Sequence, residues 1–261
     1  LYKEVIVHTL EFLDRELARP EGGYFASLDA DGLDKEGKLT EGAYYVWTEE
    51  ELKRALEKDF EWFRDYYNID DFGHWEEGNH VLIRKESDEE FAAKMGWSIQ
   101  KLHAHIAGTR ERLLRIRENR PRPRLDDKLI TSWNGLLLSG LCDAYRYCGL
   151  EEARNRALDL AGFIENTLGR KDGGLLHSFK KGGKPVNGYL EDYAAVIQGY
   201  LKLYAITQDA SWVDRARTLA DVTGCGLFTS PTTVREACRY SASSRSRAAR
   251  MARWAKSSAT F

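Results

Sequence analysis

Cysteine, proline and methionine are scarce: four, five and two in 261 residues. No two cysteines form a CxxC pair, and the spacing of Cys142, Cys148, Cys225 and Cys238 suits neither a zinc site nor a disulfide framework. They read as free core thiols of a reducing compartment, which points to the cytoplasm. No apolar run approaches the twenty or so residues of a membrane-spanning helix. The net charge of −2 gives no field that would recruit nucleic acid or an anionic membrane. There is no GxGxxG, no phosphate-binding Walker loop and no GxSxG. The opening Leu-Tyr-Lys-Glu-Val-Ile lacks signal-peptide grammar and reads as mid-helix, so the expectation is a chain that starts inside a domain.

What is present is mostly helix. Val5, Leu10, Phe12, Leu13 and Leu17 keep a helical period over residues 1–18, stopped by Pro20 and Gly22-Gly23. Ala43–Trp47 reads as a short strand. Thr48 with Glu51 is a capping box for the next helix, and Phe60–Tyr67 reads as another. Ser87 opens a further helix and Ser98 a long one, apolar at Ile99, Leu102, Ile106 and Leu113 and Arg-rich on its other face. Pro121 and Pro123 break the chain before Asp126-Asp127-Lys128. Helices over Trp133–Tyr147 and Leu190–Ala205 are apolar almost all round, the mark of helices enclosed by other protein, and an amphipathic helix near Glu152–Leu168 lies between them. Such alternation suggests two concentric layers.

An internal repeat runs through these elements. Phe12 precedes Gly22-Gly23 by ten residues, as Phe163 precedes Gly173-Gly174, and an apolar pair follows each glycine pair. A helix near Arg215–Val222 matches Arg156–Phe163 at an offset of 59, but Thr232-Thr233 stands where the next glycine pair would fall. From Thr229 the chain is rich in Ser, Thr, Ala and Arg and carries a net +6, against −8 for residues 1–228. This tail reads as out-of-frame or disordered sequence in preference to a functional basic arm. The organisation expected is one domain over 1–228 and an atypical tail over 229–261.

Four segments resemble a known family. Gly22-Gly23-Tyr24-Phe25-Ala26-Ser27-Leu28-Asp29-Ala30-Asp31 followed by Tyr45-Val46-Trp47-Thr48, then Gly78-Asn79-His80-Val81-Leu82, then Asp126-Asp127-Lys128 with Thr131-Ser132-Trp133-Asn134, then Leu190-Glu191-Asp192-Tyr193-Ala194, are similar to motifs of the spermatogenesis-associated protein 20 family. The resemblance implies an all-α fold, a partial (α/α)6 toroid of helical hairpins incomplete at both ends, like six-hairpin glycosidases and sugar epimerases. It also implies a covalently linked thioredoxin-like domain in full-length relatives. On this basis the expected ligand is a carbohydrate or other small molecule, with no cofactor, metal, nucleic acid or membrane partner. The activity expected is glycoside hydrolysis or sugar epimerisation. The alternatives are a non-catalytic binding domain that accompanies the thioredoxin-like domain, and a truncated piece without activity of its own.

If the helices at Trp133 and Leu190 are inner helices of one toroid, they run parallel and their N-termini open at one end. That would gather Asp127, Trp133, Glu191 and Asp192 at one mouth. Asp127, Glu191 and Asp192 are then candidate catalytic carboxylates, since a pair in unlike environments divides into general acid and general base. Asp126, Trp133, Asp29, Asp31, Trp47 and His177 are candidate substrate contacts, the tryptophans offering sugar rings an apolar face. The alternatives stay open: first-turn carboxylates also serve the helix dipole, and Trp133 and Trp47 also suit a core. Asp29 to Thr40 is a poor match to a calcium loop, lacking the glycine at position 6 and the glutamate at position 12. His103 and His105 do not share a helix face, and no paired histidines of the epimerase kind stand out.

Overall fold

A computed structural model describes residues 2–223. The basic tail therefore lies outside the described residues. Helix α1 is Tyr2–Phe12; α2 is Glu49–Leu56, α3 Phe60–Tyr67, α4 Asp88–Met95 and α5 Ile99–Arg117; α6 is Thr131–Cys148, α7 Glu151–Phe163, α8 Leu190–Thr207 and α9 Ser211–Val222. Strands are short, two to four residues each. The protein is all-α in class, and no described helix is long and apolar enough to cross a membrane. The described residues divide into two compact units, a first over 2–27 and 127–223 and a second over Leu28–Asp126.

The first unit is built on the repeat. Both α1 and α7 end in a π-helical turn, Leu13–Leu17 and Ile164–Leu168. Each turn closes the same way: Ala18 N–H donates to Leu13 O at 2.8 Å, and Gly169 N–H to Ile164 O at 2.9 Å. The glycine pair then reverses the chain, with Arg19 N–H on Gly23 O and Arg170 N–H on Gly174 O. Glycine is required at Gly23, whose φ is +76° and whose Cβ would stand 2.3 Å from the Phe163 ring. So the glycine turn of the first copy seats on the last α-turn of the second. Gly173 faces Val222 of α9 in the same relation, at 3.7 Å. The offset of 59 found in the sequence thus carries a packing contact from copy to copy.

Helices α6 and α8 run parallel and nearly touch. A Cβ on Gly135 would lie 2.8 Å from the Ala195 carbonyl carbon, and one on Gly199 would lie 2.6 Å from Leu138. Further along, Lys202 pairs with Asp143. Contacts at 135/195, 138/199 and 143/202 advance in the same direction on both helices, so their N-termini share one end. Leu138, Leu141, Leu160, Val196, Tyr200 and Leu203 form the shared core. Burial within it pushes the Cys142 thiol up to about 12, which makes it an inert core thiol as its spacing suggested. The expectation that α6 and α8 are enclosed all round is corrected: Trp133, Leu136 and Leu190 are exposed.

The second unit packs α2, α3, α4 and α5 around Leu52, Leu56, Phe63, Phe91 and Leu102. The capping box read from the sequence, Thr48 with Glu51, forms, and Ser87, read there only as a helix start, makes a second one with Glu90. Replacing Ser87 with alanine is expected to lower the unfolding free energy by about 1 kcal/mol, read from urea titration; no change would mean that Glu90 alone holds the α4 terminus. The strand expected over Ala43–Trp47 is mostly turn, because Val46 and Tyr45 N–H both donate to Gly42 O; only Trp47-Thr48 pairs, with Asn79-His80. The Asp29–Thr40 stretch forms an antiparallel hairpin, Asp31–Leu33 with Leu39–Glu41, and Asp34 spends its carboxylate on Glu36 N–H, Lys38 N–H and the Thr40 hydroxyl.

Candidate functional site

The first turns of α6 and α8 and the strand Leu176–Phe179 meet at one end of the first unit. The strand pairs with Leu129-Ile130, which delivers the chain into α6, and Thr131 Oγ1 donates to Leu176 O. Asn134 fixes the first glycine turn, accepting from Tyr24 N–H at 2.9 Å and donating to Tyr24 O at 3.1 Å. Tyr193 holds the equivalent place in α8, its hydroxyl accepting from Leu175 N–H at 3.0 Å. The repeat therefore uses the same position, 59 residues apart, to tie an inner helix to a glycine turn.

Asp192 is the centre of this end. Its side chain is 0% exposed. Oδ1 accepts from Ser132 N–H at 2.9 Å, across from α8 to α6. Oδ2 accepts from Tyr189 N–H at 2.8 Å and lies 2.9 Å from His177 Nδ1. With both oxygens engaged by protein and no solvent access, Asp192 cannot touch a substrate; it fixes the His177 ring and directs Nε2 away from itself. Of the carboxylates that the sequence put forward as catalytic, Asp192 is thus the one whose oxygens are taken up inside the protein, against the imidazole. His177 is 25% exposed and lies against the Tyr189 ring, with centroids 4.5 Å apart.

Glu191, the neighbour of Asp192 on α8, is exposed. His177, Glu191 and Asp192 each offer a ligand atom within 4.8 Å of the others, a spacing that would fit a single cation. Because both Asp192 oxygens already accept hydrogen bonds from the protein, such an ion would depend on Glu191 and the His177 ring, with Asp192 as an orienting partner of the imidazole. Asp127 is half-exposed and receives Lys180 Nζ at 2.6 Å from the end of the Leu176–Phe179 strand. Trp133 stands one residue after Ser132 and is 52% exposed, so it is not the core residue that its type and helix suggested.

The remaining sequence candidates belong to the second unit. Asp29 pairs with Arg124 Nε at 2.9 Å, Asp31 is exposed at the start of its hairpin, and Asp126 is the last residue of that unit. Trp47 is 4% exposed and lies under the Arg120 guanidinium at 4.1 Å. Arg120 also donates to the Ala43, Tyr44 and Val46 carbonyls, so the Trp47 indole is clamped in place. Sequence reasoning places His177 among the minor contacts and misses Tyr189. The signal for both is present: an Asp in the first turn of an inner helix, a Tyr three residues before it, and a His on the strand that enters the same end.

No family model matches the chain. Among solved structures, cellobiose 2-epimerase from Bacillus thermoamylovorans superposes with a TM-score of 0.36 at 14% identity, over 88% of this chain and 56% of that one. The mouse protein named spermatogenesis-associated protein 20 is 29% identical over 249 residues, 84% of this chain and 32% of its own length. The human protein of that name is 28% identical over 249 residues, with the same coverage. The chain is thus a homologue of the proteins named spermatogenesis-associated protein 20 and spans about a third of their length.

Proposed function

We propose that the α6/α8 end of the first unit, as part of an α/α toroid, is a proton-transfer site for a free, polyhydroxylated sugar. The observation that carries this reading is the His177–Asp192 pair. A buried carboxylate on Nδ1 sets the imidazole tautomer and leaves Nε2 able to take or give a proton at a ligand. Glu191 supplies a second, exposed acid–base group beside it. Trp133 and Tyr189 offer apolar ring faces for stacking, and the Lys180–Asp127 pair offers hydroxyl partners.

The same geometry argues against glycoside hydrolysis by Glu191 and Asp192. That reaction needs two carboxyls that both reach the glycosidic bond, and Asp192 reaches nothing outside the protein. Removing a proton next to a carbonyl and returning it, as in epimerisation or aldose–ketose isomerisation, needs one base, one acid and no second free carboxylate.

The test is exchange of sugar C–H for deuterium in heavy water, followed by NMR over a panel of aldoses and ketoses, with both this chain and a full-length homologue. Exchange is expected in the native protein and a loss of about 100-fold or more in His177→Gln, with unchanged near-ultraviolet circular dichroism. A panel that neither exchanges nor binds in either protein defeats the proposal. Exchange that survives His177→Gln moves the chemistry elsewhere. Zinc that protects the native chain against heat but not His177→Gln would favour the metal-holding reading of the same residues.

A further inference from the structure

The seam between α6 and α8 joins two unlike faces, and the 59-residue repeat presents each of them a second time. Asp192, Ala195, Gly199 and Lys202 form the α8 face of the seam, and Ser132, Gly135, Leu138 and Asp143 form the α6 face. Ser132 N–H donates to Asp192, Gly135 lies against the Ala195 and Val196 backbone, Leu138 fills the notch at Gly199, and Lys202 pairs with Asp143. Moved back by 59, the α8 face falls on Trp133, Leu136, Gly140 and Asp143 of α6. Trp133, Leu136 and Gly140 are exposed, and a Cβ built on Gly140 meets open space among the described residues. Moved forward by 59, the α6 face falls on Glu191, Ala194, Ile197 and Lys202 of α8. Glu191 and Ala194 are exposed and Ile197 is half-buried. One face of each kind is used inside the chain, and one of each kind is left open.

We infer that the open α6 face receives the open α8 face of a second copy of this chain, so that the α6–α8 seam continues head to tail from copy to copy. Trp133, Leu136, Gly140 and Tyr147 lie at i, i+3, i+7 and i+14, a single exposed stripe of apolar side chains around a glycine notch. The notch at Gly199 takes Leu138, and its counterpart at Gly140 takes Ile197 of the second copy. Charge selects the same partner. Asp143 and Lys202 hold corresponding positions with opposite signs, so Lys202 of one copy arrives at Asp143 of the next. An ammonium has three donors and a carboxylate two acceptor oxygens, so each keeps its partner within the chain. Two α6 faces would instead set notch against notch and Asp143 against Asp143, which rules for a head-to-tail join over a symmetric one. Such a join leaves a face free at each end, and copies add until a ring closes. Leu136 and Ala194 stand where Ala195 and Gly135 meet inside the chain, so the seam between copies is wider and the association weak and reversible. Docking needs no catalysis. It also brings Glu191 of one copy up to Trp133 of the next, as Ser132 and Asp192 meet inside the chain, so the mouth of the candidate site is shared between copies.

The test is sedimentation velocity on the whole chain over a concentration series, with one substitution in each face. Leu136→Glu closes the α6 face and Ala194→Glu the α8 face. Both side chains are exposed in the native chain, so near-ultraviolet circular dichroism is expected to stay unchanged. The native chain is expected to pass from monomer to larger species between about 10 μM and about 1 mM, the weak range that suits a seam one helix wide. Each variant alone is expected to stay monomeric. Mixed in equal amounts, they are expected to form a dimer and nothing larger. The Leu136→Glu chain still offers its α8 face and the Ala194→Glu chain its α6 face, while the other two faces would set glutamate against glutamate. The inference is overturned if the native chain stays monomeric over the whole series, if either variant associates alone, or if the mixture fails to pair.

Discussion

Asp192→Ala is expected to lower the unfolding free energy by about 3–5 kcal/mol, among the largest losses any single side chain of the first unit can cause. The carboxylate receives two backbone N–H groups, from Ser132 and Tyr189, and the His177 ring. Alanine would leave the Ser132 N–H, which meets Asp192 in a buried contact, without an acceptor, and an orphaned buried donor costs about 1–3 kcal/mol. It would also remove the negative group from the first turn of α8, where the helix dipole favours it. Asp192→Asn separates shape from charge. Its amide oxygen can serve one donor, but the NH2 then faces the other, so a loss of about 2–3 kcal/mol is expected. His177→Gln should cost far less, because a quarter of the imidazole already faces solvent. Urea titration of the three variants ranks them. If Asp192→Ala stays within about 1 kcal/mol of the native chain, the three hydrogen bonds do not hold the α6 and α8 termini together, and the positioning role of Asp192 falls with them.

Much of the fold was legible because local rules and tertiary structure agree. The Thr48 capping box, the helix start at Ser87, the glycine pairs and the periodic helices all form where the sequence placed them, since a Thr three residues before a Glu, or a glycine at positive φ, has one economical structure. The parallel pairing of α6 and α8 followed from placing both as inner helices of one toroid, which the family resemblance implied; their composition alone says nothing of direction. Three features were hidden. The π-helical turns after Phe12 and Phe163 leave no trace in hydrophobic period, because they shift register by a single residue at a helix end. Exposure of Trp133 could not be read, because apolar residues all round a helix do not reveal which face lacks a neighbour. The rank order of carboxylates was also hidden: Glu191 and Asp192 are adjacent and chemically alike, and only the approach of Ser132 N–H and His177 buries one and leaves the other in water. Trp47 shows the same limit from the other side, since nothing in Tyr-Val-Trp-Thr announces the arginine that arrives from residue 120 to cover it.

Gly135→Ala and Gly140→Ala, five residues apart on one helix, are expected to change stability in opposite directions. Both replace glycine inside α6, and helix propensity alone would reward each by about 1 kcal/mol. At Gly140 nothing lies within 4 Å of the new methyl group, so the gain is expected nearly in full. At Gly135 the methyl carbon would stand 2.8 Å from the Ala195 carbonyl carbon and 2.9 Å from Val196 N. Those are backbone atoms of α8, so no rotamer change relieves the contact and the helices must separate. Overpacking costs about 1–3 kcal/mol, and a clash against backbone falls in the upper part of that range, about 2–3 kcal/mol; it outweighs the propensity gain, and since that gain is common to both variants they should differ by the same about 2–3 kcal/mol in urea titration. The separation also bears on the site. Gly135 lies one turn from Ser132, whose N–H reaches Asp192 across the same seam, so a wider seam lengthens that bond and frees the carboxylate that orients His177. Gly135→Ala should therefore weaken any His177-dependent proton exchange, while Gly140→Ala leaves it unchanged. Equal stabilisation by both substitutions would mean that α6 and α8 are not packed backbone to backbone, and the shared N-terminal end on which the candidate site rests would lose its physical basis.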